Sequence, residues 1–404
     1  MPPYDLSKLL VVGLSSRALF NLEEEDRIFQ TEGLQAFIDY QRRHEEEVLR
    51  PGSAFPLIKG LLSLNGGLND RKVEVILMSK NHPDVSLRVF NSIDSYGLEM
   101  SRAALTGGES LGPYLAAFNV GLFLSQSAED VQLAANQGVA AGLIYSPPYK
   151  VQTADKQIRI AFDGDCVIFS DEAQRIYDEK DLKAFQQYEE ENAKKELPAG
   201  PFAKLLRVLA EIQGPDPEMS PIRIALVTDR NMPAHERVIR TLRAWNVRID
   251  SAFFLGGIAK AEILKAFGAH MFFDDKEEYC KLAAQKVPTG RVLLPISESV
   301  EIETTVTVAD LDGDGAPERF LHICKSYLKR AFPQSEIQLS DWYKQNVCDW
   351  PGDNRANFLK ELEDSVNGTP RGNQRRAGTE EDTSEAKLFS FLENLMSKHR
   401  PPQS

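Results

Sequence analysis

Over the first 295 positions, short apolar runs alternate with longer segments in which apolar residues recur every three to four positions. Two such runs are "VEVILMS" from Val73 and "IRIALVT" from Ile222, both rich in the branched residues that strands favour. The segments between the runs have the spacing of amphipathic helices. Strands that alternate with helices predict an α/β fold built around a parallel, doubly wound sheet.

The pattern occurs twice in near-constant register. Phe20 falls on Phe169 at a shift of 149, and Tyr40 falls on Tyr188 at a shift of 148. "VEVILMSKN" also matches "IRIALVTDR", and both copies continue into a segment that contains a "GG" pair. The repeat predicts two tandem Rossmann-like units from an internal duplication, over residues 8–147 and 156–295.

Each unit carries a charged helical insert after its first strand. In the second unit the insert covers residues 171–200. We predict that it forms a small cap over an active site at the ends of the strands, because such inserts close active sites in similar folds. The counterpart in the first unit, from Leu22 to Gly52, is equally charged. A solvated helical face is the alternative for both inserts.

The repeat ends near residue 296, and an irregular C-terminal extension follows. We expect an extension over 296–366, a disordered linker over 367–385 and an amphipathic helix over 386–399. Within the extension, Asp310, Asp312 and Asp314 alternate as in a calcium loop, but Leu321 stands where an EF-hand has its glutamate. An acidic turn is therefore favoured over a calcium site, which stays open.

Charge and composition exclude several classes of partner. The net charge is −13, which disfavours binding to nucleic acid or to an anionic membrane, and no apolar run is long enough to span a bilayer. The four cysteines are scattered without a CxxC motif. We therefore expect a cytoplasmic protein with reduced thiols.

Two carboxylates interrupt an apolar run at "IRIAFDGDCVIF". Asp163 and Asp165 flank a glycine at the end of a predicted strand, where burying two anions is costly unless a cation or a reaction uses them. A carboxylate can attack phosphorus to form an aspartyl-phosphate, and a second one can protonate the leaving group and then activate water. Asp163 and Asp165 are therefore candidates for this chemistry, in which Asp165 could serve as the proton donor.

Three further segments end at the same edge of the predicted sheet. Thr228 ends a strand, and the loop after it, with Asp229 and Arg230, offers groups that bind phosphate. Lys260 would balance the charge of the transferred phosphoryl group. Asp274 and Asp275 would provide, with Asp163, the oxygen ligands that Mg²⁺ prefers.

These four segments resemble the motifs of the haloacid dehalogenase-like phosphohydrolases. The resemblance implies that Asp163 is the nucleophile and Asp165 the acid/base. It also implies that Mg²⁺ is held by Asp163, the main-chain carbonyl of Asp165 and the acidic pair Asp274-Asp275. The strings "SSRALF", "RPGSAFPLIKGL", "ILMSKNH", "NSIDSYGL" and "AFDGD" are further similar to the cytosolic 5′-nucleotidase I family. That likeness covers roughly residues 8–295 and implies hydrolysis of AMP and other nucleoside monophosphates, with ADP as an effector.

Two other functions stay open at this point. One is a phosphatase with the same chemistry that acts on a sugar phosphate or another small phosphomonoester. The other is a nucleotide-binding regulator without turnover. The sequence also leaves open a homo-oligomer.

The first unit has lost the reactive residues. Leu14, Ser16 and Leu111 stand where the second unit has Asp163, Asp165 and Lys260. Polar groups nevertheless stay at the same edge, which suggests a nucleotide site that serves regulation or surrounds the substrate; the residues are Ser15, Ser16, Arg17, Asn81 and His82. A packing role alone is the alternative.

Cys166 has no histidine near it in sequence, so we interpret it as a structural thiol.

Overall fold

The fold is taken from a computed structural model, which describes residues 5–66, 70–149, 157–172, 175, 182–214 and 216–296 together with Phe358, Lys360 and Leu392. The chain divides into two compact units, Met1–Ser297 and Glu298–Ser404. The predicted calcium loop, linker and terminal helix fall in the second unit. The loop and the linker lie outside the described part of the chain, and so does the helix except for Leu392.

One ten-stranded sheet forms the centre of the first unit. Its strands are β1 Leu10–Leu14, β4 Val73–Ser79, β5 Arg102–Leu105, β6 Leu122–Ser125, β7 Ala140–Ile144, β8 Ile158–Phe162, β9 Ile222–Thr228, β10 Ser251–Phe254, β11 Met271–Asp274 and β12 Thr289–Val292. Two short strands, β2 Phe20–Asn21 and β3 Arg50–Pro51, pair separately. The ten strands of the large sheet lie in the order β10-β9-β8-β11-β12-β7-β6-β1-β4-β5.

The two halves of this sheet have the same strand order. Reading inwards from each edge, the first half runs β5-β4-β1-β6-β7 and the second runs β10-β9-β8-β11-β12. All pairs within a half are parallel, as the sequence predicts. The sequence did not predict that β7 and β12 pair antiparallel and join both halves into one sheet. Because the strands of the two halves therefore run in opposite directions, their carboxyl ends lie at opposite ends of the sheet.

A phenylalanine ring explains the glycines at the junction. Cβ atoms at Gly142 of β7 and Gly290 of β12 would lie 2.9 and 3.0 Å from the ring of Phe273. Only glycine permits this close approach. Phe273 directly precedes Asp274 on β11, so this packing also fixes the end of the strand that carries the acidic pair.

Helices cover the sheet in the order that the periodicity predicts. They are α1 Ser16–Leu19, α2 Glu23–Arg43, α3 Phe55–Leu62, α4 Leu87–Ser95, α5 Gly112–Ala117, α6 Ala128–Asn136, α7 Leu182–Glu191, α8 Ala203–Gln213, α9 His235–Ala244, α10 Lys260–Phe267 and α11 Glu277–Ala283. The inserts correspond to α2 in the first half and α7 in the second. No helix in the described part of the chain has the length and apolar character needed to cross a membrane.

The largest core cluster contains residues from both halves. Leu14 and Val75 belong to it from the first half, and Ile160, Phe162 and Phe273 belong to it from the second. These side chains are almost wholly buried. Burial of this kind is the main favourable term in folding, and here it holds the strand ends of the site on a rigid frame.

Candidate active site

Asp163 lies immediately after β8 and is almost fully buried. Its backbone N–H donates to the carbonyl of Phe273 on the neighbouring β11 at 2.8 Å. The strand pairing thereby places Asp163 beside Asp274 at the end of β11. Two segments that are more than 100 residues apart in sequence meet here, as the sequence predicted.

Lys260 joins these two carboxylates. Its ammonium donates to Asp163 Oδ1 at 2.7 Å and to Asp274 Oδ2 at 2.8 Å. It is the first residue of α10 and also lies 4.7 Å from the ring centroid of Tyr279. All three charged residues are at most 5% exposed. A buried ammonium between two carboxylates is held in one place, which suits a group that must meet a phosphoryl oxygen.

Burial and the neighbouring charges shift the pKa values of this cluster. Burial raises the pKa of Asp163, the Lys260 ammonium opposes that shift, and Asp274 adds to it. Burial alone would lower the pKa of Lys260, but Asp163 and Asp274 outweigh it and raise that pKa above the ordinary value for lysine. Lys260 therefore stays protonated across the neutral range.

The acidic residues fit a divalent cation. Oxygen atoms of Asp163, Asp274 and Asp275 lie within 4.8 Å of one another. Burial, and next Asp274, raise the pKa of Asp275 to about 6. Three carboxylates beside one lysine leave an excess of negative charge in a buried place, and a hard cation would relieve it. The donor set fits Mg²⁺.

The raised pKa of Asp275 leads to a prediction about metal binding and pH. In the metal-free protein, folding favours protonated Asp275, so this group should lower stability as pH rises from about 4 to about 6. Mg²⁺ held by these carboxylates would require their ionised form, so 5 mM Mg²⁺ should raise the unfolding temperature clearly at pH 7.5 and little at pH 5. Thermal unfolding with Mg²⁺ and with EDTA measures both effects. Equal stabilisation at the two pH values, or an unchanged pH dependence in Asp275→Asn, would contradict this assignment.

A tight turn carries the second aspartate. Gly164 lies against Thr228, where a Cβ atom would be 3.2 Å from the threonine Oγ1. Cys166 has a φ of 62°, in the left-handed region that non-glycine residues rarely adopt. The turn directs Asp165 toward the loop after β9, where its side chain is 18% exposed.

Arg230 holds Asp165 through a forked ion pair. Its Nε and Nη2 donate to Asp165 Oδ2 and Oδ1 at 2.8 and 2.7 Å. Its Nη1 donates at 2.5 Å to Glu189 Oε2 on the insert helix α7. Glu189 Oε1 accepts from Arg237 Nη1 at 2.9 Å. A chain of buried charges therefore runs from the predicted acid/base to the insert.

The other residues of the second half that we singled out from the sequence fall into two groups. Thr228 ends β9, is 1% exposed and accepts from the Arg230 N–H at 3.3 Å, whereas Asp229 lies near Tyr279, where burial and next Asp229 raise the pKa of the tyrosine to about 12. Cys166 is buried, and burial raises the pKa of its thiol, which agrees with a structural role. The roles of Thr228, Asp229 and Arg230 in phosphate binding stay predictions.

Apolar residues fill the corresponding positions of the first half. Leu14 and Leu111, which replace Asp163 and Lys260, are at most 1% exposed. Ser15 caps α1 by accepting from the Ala18 N–H, and Arg17 pairs with Asp26 at 2.7 Å. Asn81 donates its N–H to Ser79 Oγ at 3.1 Å. His82 is exposed, and its ring lies near Gly107.

A cavity of about 430 Å³ lies beyond the carboxyl ends of the strands in the first half. Its walls include Phe20, Arg50, Ser53, Gln126 and Tyr149. The hydroxyls of Ser53 and Tyr149 are buried and have no hydrogen-bond partner among the described residues. The five polar residues predicted from the sequence do not line it.

Sequence reasoning missed Glu189, Arg237 and Tyr279. Glu189 lies in a helix crowded with glutamates, so nothing in the local pattern distinguishes it. The repeat carried a usable signal, because Glu189 falls on Gln41 and Arg230 falls on Asn81. Charged residues of the second half that align with neutral residues of the first half were therefore visible in the sequence alone.

The sequence of the chain matches a known protein family. A family profile described as 5′-nucleotidase matches residues 2–299, which include every residue of the site. The chain belongs to the 5′-nucleotidase family.

One curated relative of this 5′-nucleotidase family member is human cytosolic 5′-nucleotidase 1B, with 37% identity over 278 residues. The alignment covers 66% of this chain and 46% of the relative, so the chain spans about half the length of the curated relative it matches. No solved structure gave a significant match.

Proposed function

We propose that this protein is a Mg²⁺-dependent phosphatase that hydrolyses nucleoside 5′-monophosphates, with AMP favoured, to nucleoside and phosphate. The observation that carries the proposal is the buried set of Asp163, Lys260 and Asp274 with Asp275 beside it and Asp165 on the next turn. Membership of the 5′-nucleotidase family supports the substrate class. The name of the human relative supports a cytosolic location.

The residues divide the reaction into two steps. An oxygen of Asp163 bonds to phosphorus, the bond from phosphorus to the 5′ oxygen breaks, and Asp165 gives its proton to that oxygen. Water then attacks phosphorus, its proton passes to Asp165, and the bond to Asp163 breaks, which restores the enzyme. Lys260 and the amide groups after Thr228 would stabilise the charge on the phosphoryl oxygens.

The metal would be held by Asp163, Asp274 or Asp275, and the carbonyl of Asp165. When bound, Mg²⁺ supplies positive charge that polarises the phosphoryl group. Its charge would also allow Asp163 and Asp275 to ionise despite their burial. Asp163 must be ionised to act as the nucleophile, and Asp275 must be ionised to act as a metal ligand.

A trapped phosphoenzyme would test the covalent step. In Asp165→Asn, an AMP analogue with sulfur at the 5′ bridging position should still transfer its phosphoryl group, because the thiolate leaves without a proton, whereas water activation should be slow. Label from the ³²P-labelled analogue should therefore accumulate on the protein after an acid quench. Asp163→Asn/Asp165→Asn should carry no label. Label that persists in the double variant would place the nucleophile elsewhere. If no label accumulates while Asp165→Asn still releases phosphate, the covalent intermediate is wrong.

The two halves are further proposed to descend from one duplicated unit. The identical strand order supports this, and so do equivalent contacts of the inserts. Arg88 Nε donates to the carbonyl of Glu47 at 3.0 Å, and Arg237 Nε donates to the carbonyl of Lys195 at 3.0 Å. These pairs correspond through the shift of 148 or 149 found in the sequence.

The first half is proposed to regulate the enzyme. Its strand ends lie at the opposite edge of the sheet from Asp163, which favours an effector site over a place in the substrate's surroundings. The cavity beside Ser53 and Tyr149 has a volume typical of small-molecule sites. Retention of the ADP response in Arg17→Ala would count against the residues predicted from the sequence and leave the cavity as the candidate site.

A further inference from the structure

The network between Asp165 and α7 contains more buried charges than are needed to hold the insert in place. Comparison with the first half separates its parts. Arg88 and Arg237 correspond at a shift of 149, and each holds the insert of its own half through a main-chain carbonyl. Each guanidinium also lies over a corresponding tyrosine ring, Tyr40 at 5.8 Å and Tyr188 at 5.5 Å. This anchor is common to both halves and is structural.

The anchor does not depend on a carboxylate at the position of Glu189. In the first half that position is Gln41, whose Oε1 lies 3.5 Å from Arg88 Nη1, and Glu25 provides the carboxylate at 2.6 Å. In the second half, Glu172 Oε1 already accepts from Arg237 Nη2 at 3.2 Å. Arg237 would therefore keep a carboxylate partner without Glu189.

The charges that distinguish the second half both lead to Asp165. Glu189 replaces Gln41, and its Oε2 accepts from Arg230. Arg230 replaces Asn81, and its remaining nitrogens bind both oxygens of Asp165. Asp165 itself replaces Ser16. The pair thus accompanies the acid/base, and the unreactive half lacks all three.

We propose that Arg230, held by Glu189 on the insert helix, positions the Asp165 carboxyl for proton transfer. A guanidinium bound to both oxygens fixes the rotation of the carboxyl group, which a single hydrogen bond cannot do. Glu189 fixes the guanidinium in turn and offsets its charge at a site where both side chains are at most 4% exposed. Because Glu189 belongs to the insert, the alignment of Asp165 depends on the insert being in place. Both are positioning residues, and the proposal rests on the proposed function.

The test transplants the first-half pair into the second half as Arg230→Asn/Glu189→Gln. Removing one charge of each sign leaves the net charge unchanged, and the first half folds with this combination. We expect an unfolding temperature near that of the wild type, a KM for AMP within about threefold, and a kcat reduced about tenfold to a hundredfold, as for a misaligned acid. Arg240→Asn/Glu236→Gln, an exposed ion pair on α9, the helix that carries Arg237, is the matched control and should leave kcat unchanged.

A change of leaving group separates positioning from general damage. In an AMP analogue with sulfur at the 5′ bridging position, the thiolate leaves without needing a proton. The first-turnover rate of the double variant should fall about tenfold or more with AMP and less than about threefold with the analogue. Equal slowing of both substrates, or no slowing with AMP, would overturn the proposal.

Arg230→Lys covers the case in which the double variant does not fold. It keeps the charge but not the fork, so it should show the same difference between AMP and the analogue. Full activity of this variant would overturn the proposal. Wild-type turnover of AMP is measured first, and its absence would refute the proposed substrate. The comparison would then use alkyl and aryl phosphates, whose leaving groups differ in the same respect.

Discussion

Replacing Asp163 by asparagine should lower the turnover of AMP by about 10⁴-fold or more, because the amide cannot form the bond to phosphorus. The substitution keeps the size of the side chain and leaves Asp274 to pair with Lys260. The variant should therefore fold and still bind AMP. Phosphate release and equilibrium binding of AMP together measure the two properties.

The control for this prediction is Asp94→Asn, which changes an exposed aspartate on α4 and should leave turnover unaffected. Residual activity of Asp163→Asn within about tenfold of the wild type would exclude a nucleophilic role, since removal of a nucleophile costs far more. Loss of activity together with loss of the fold would be resolved by Asp163→Ser, which removes the same carboxylate with a smaller side chain.

Replacing Lys260 by methionine should have the second largest effect, and it should affect both stability and catalysis. The change leaves Asp163 and Asp274 buried without their shared cation, and breaking a buried ion pair in this way costs about 3–5 kcal/mol. Without Lys260, kcat should also fall by about 10²–10³-fold, as for loss of a group that stabilises transition-state charge. Urea unfolding and steady-state kinetics measure these effects.

The stability loss of Lys260→Met should depend on metal and pH. Mg²⁺ should recover part of it, because the cation offsets the same carboxylates. Lowering the pH should recover part of it as well, because the pKa of Asp163 is raised and protonation removes its charge. Lys265→Met, an exposed position one turn further along α10, is the control. A Lys260→Met protein as stable as the control, with or without Mg²⁺, would contradict the ion-pair geometry.

The sequence predicted where the candidate site residues lie in the sheet better than it predicted how the two halves of the sheet join. Asp163, Thr228 and Asp274 lie at strand ends because strongly apolar runs precede them, and the parallel pairing then brings them together. The antiparallel junction could not be predicted in the same way. β12 reads "TGRV" and has no alternation of apolar and polar residues, so its partner is chosen by packing around Phe273.

The ion pairs of the insert were hidden for a different reason. A glutamate at one helical position looks like its solvated neighbours until the helix is docked, and Glu189 is buried only because Arg230 and Arg237 approach it from other segments. Such long-range pairs leave no periodic signal. The repeated sequence pattern is the exception, since it shows which charges occur in the second half and have neutral counterparts in the first.

The most direct measurement of function is phosphate release from a panel of nucleoside monophosphates and sugar phosphates, with Mg²⁺ and with EDTA, beside Asp163→Asn. We predict release from AMP that requires Mg²⁺ and is abolished in the variant. Release from sugar phosphates alone would contradict the substrate class while keeping the chemistry. Binding of AMP without release of phosphate from any ester would contradict the proposed enzyme and favour a nucleotide-binding regulator.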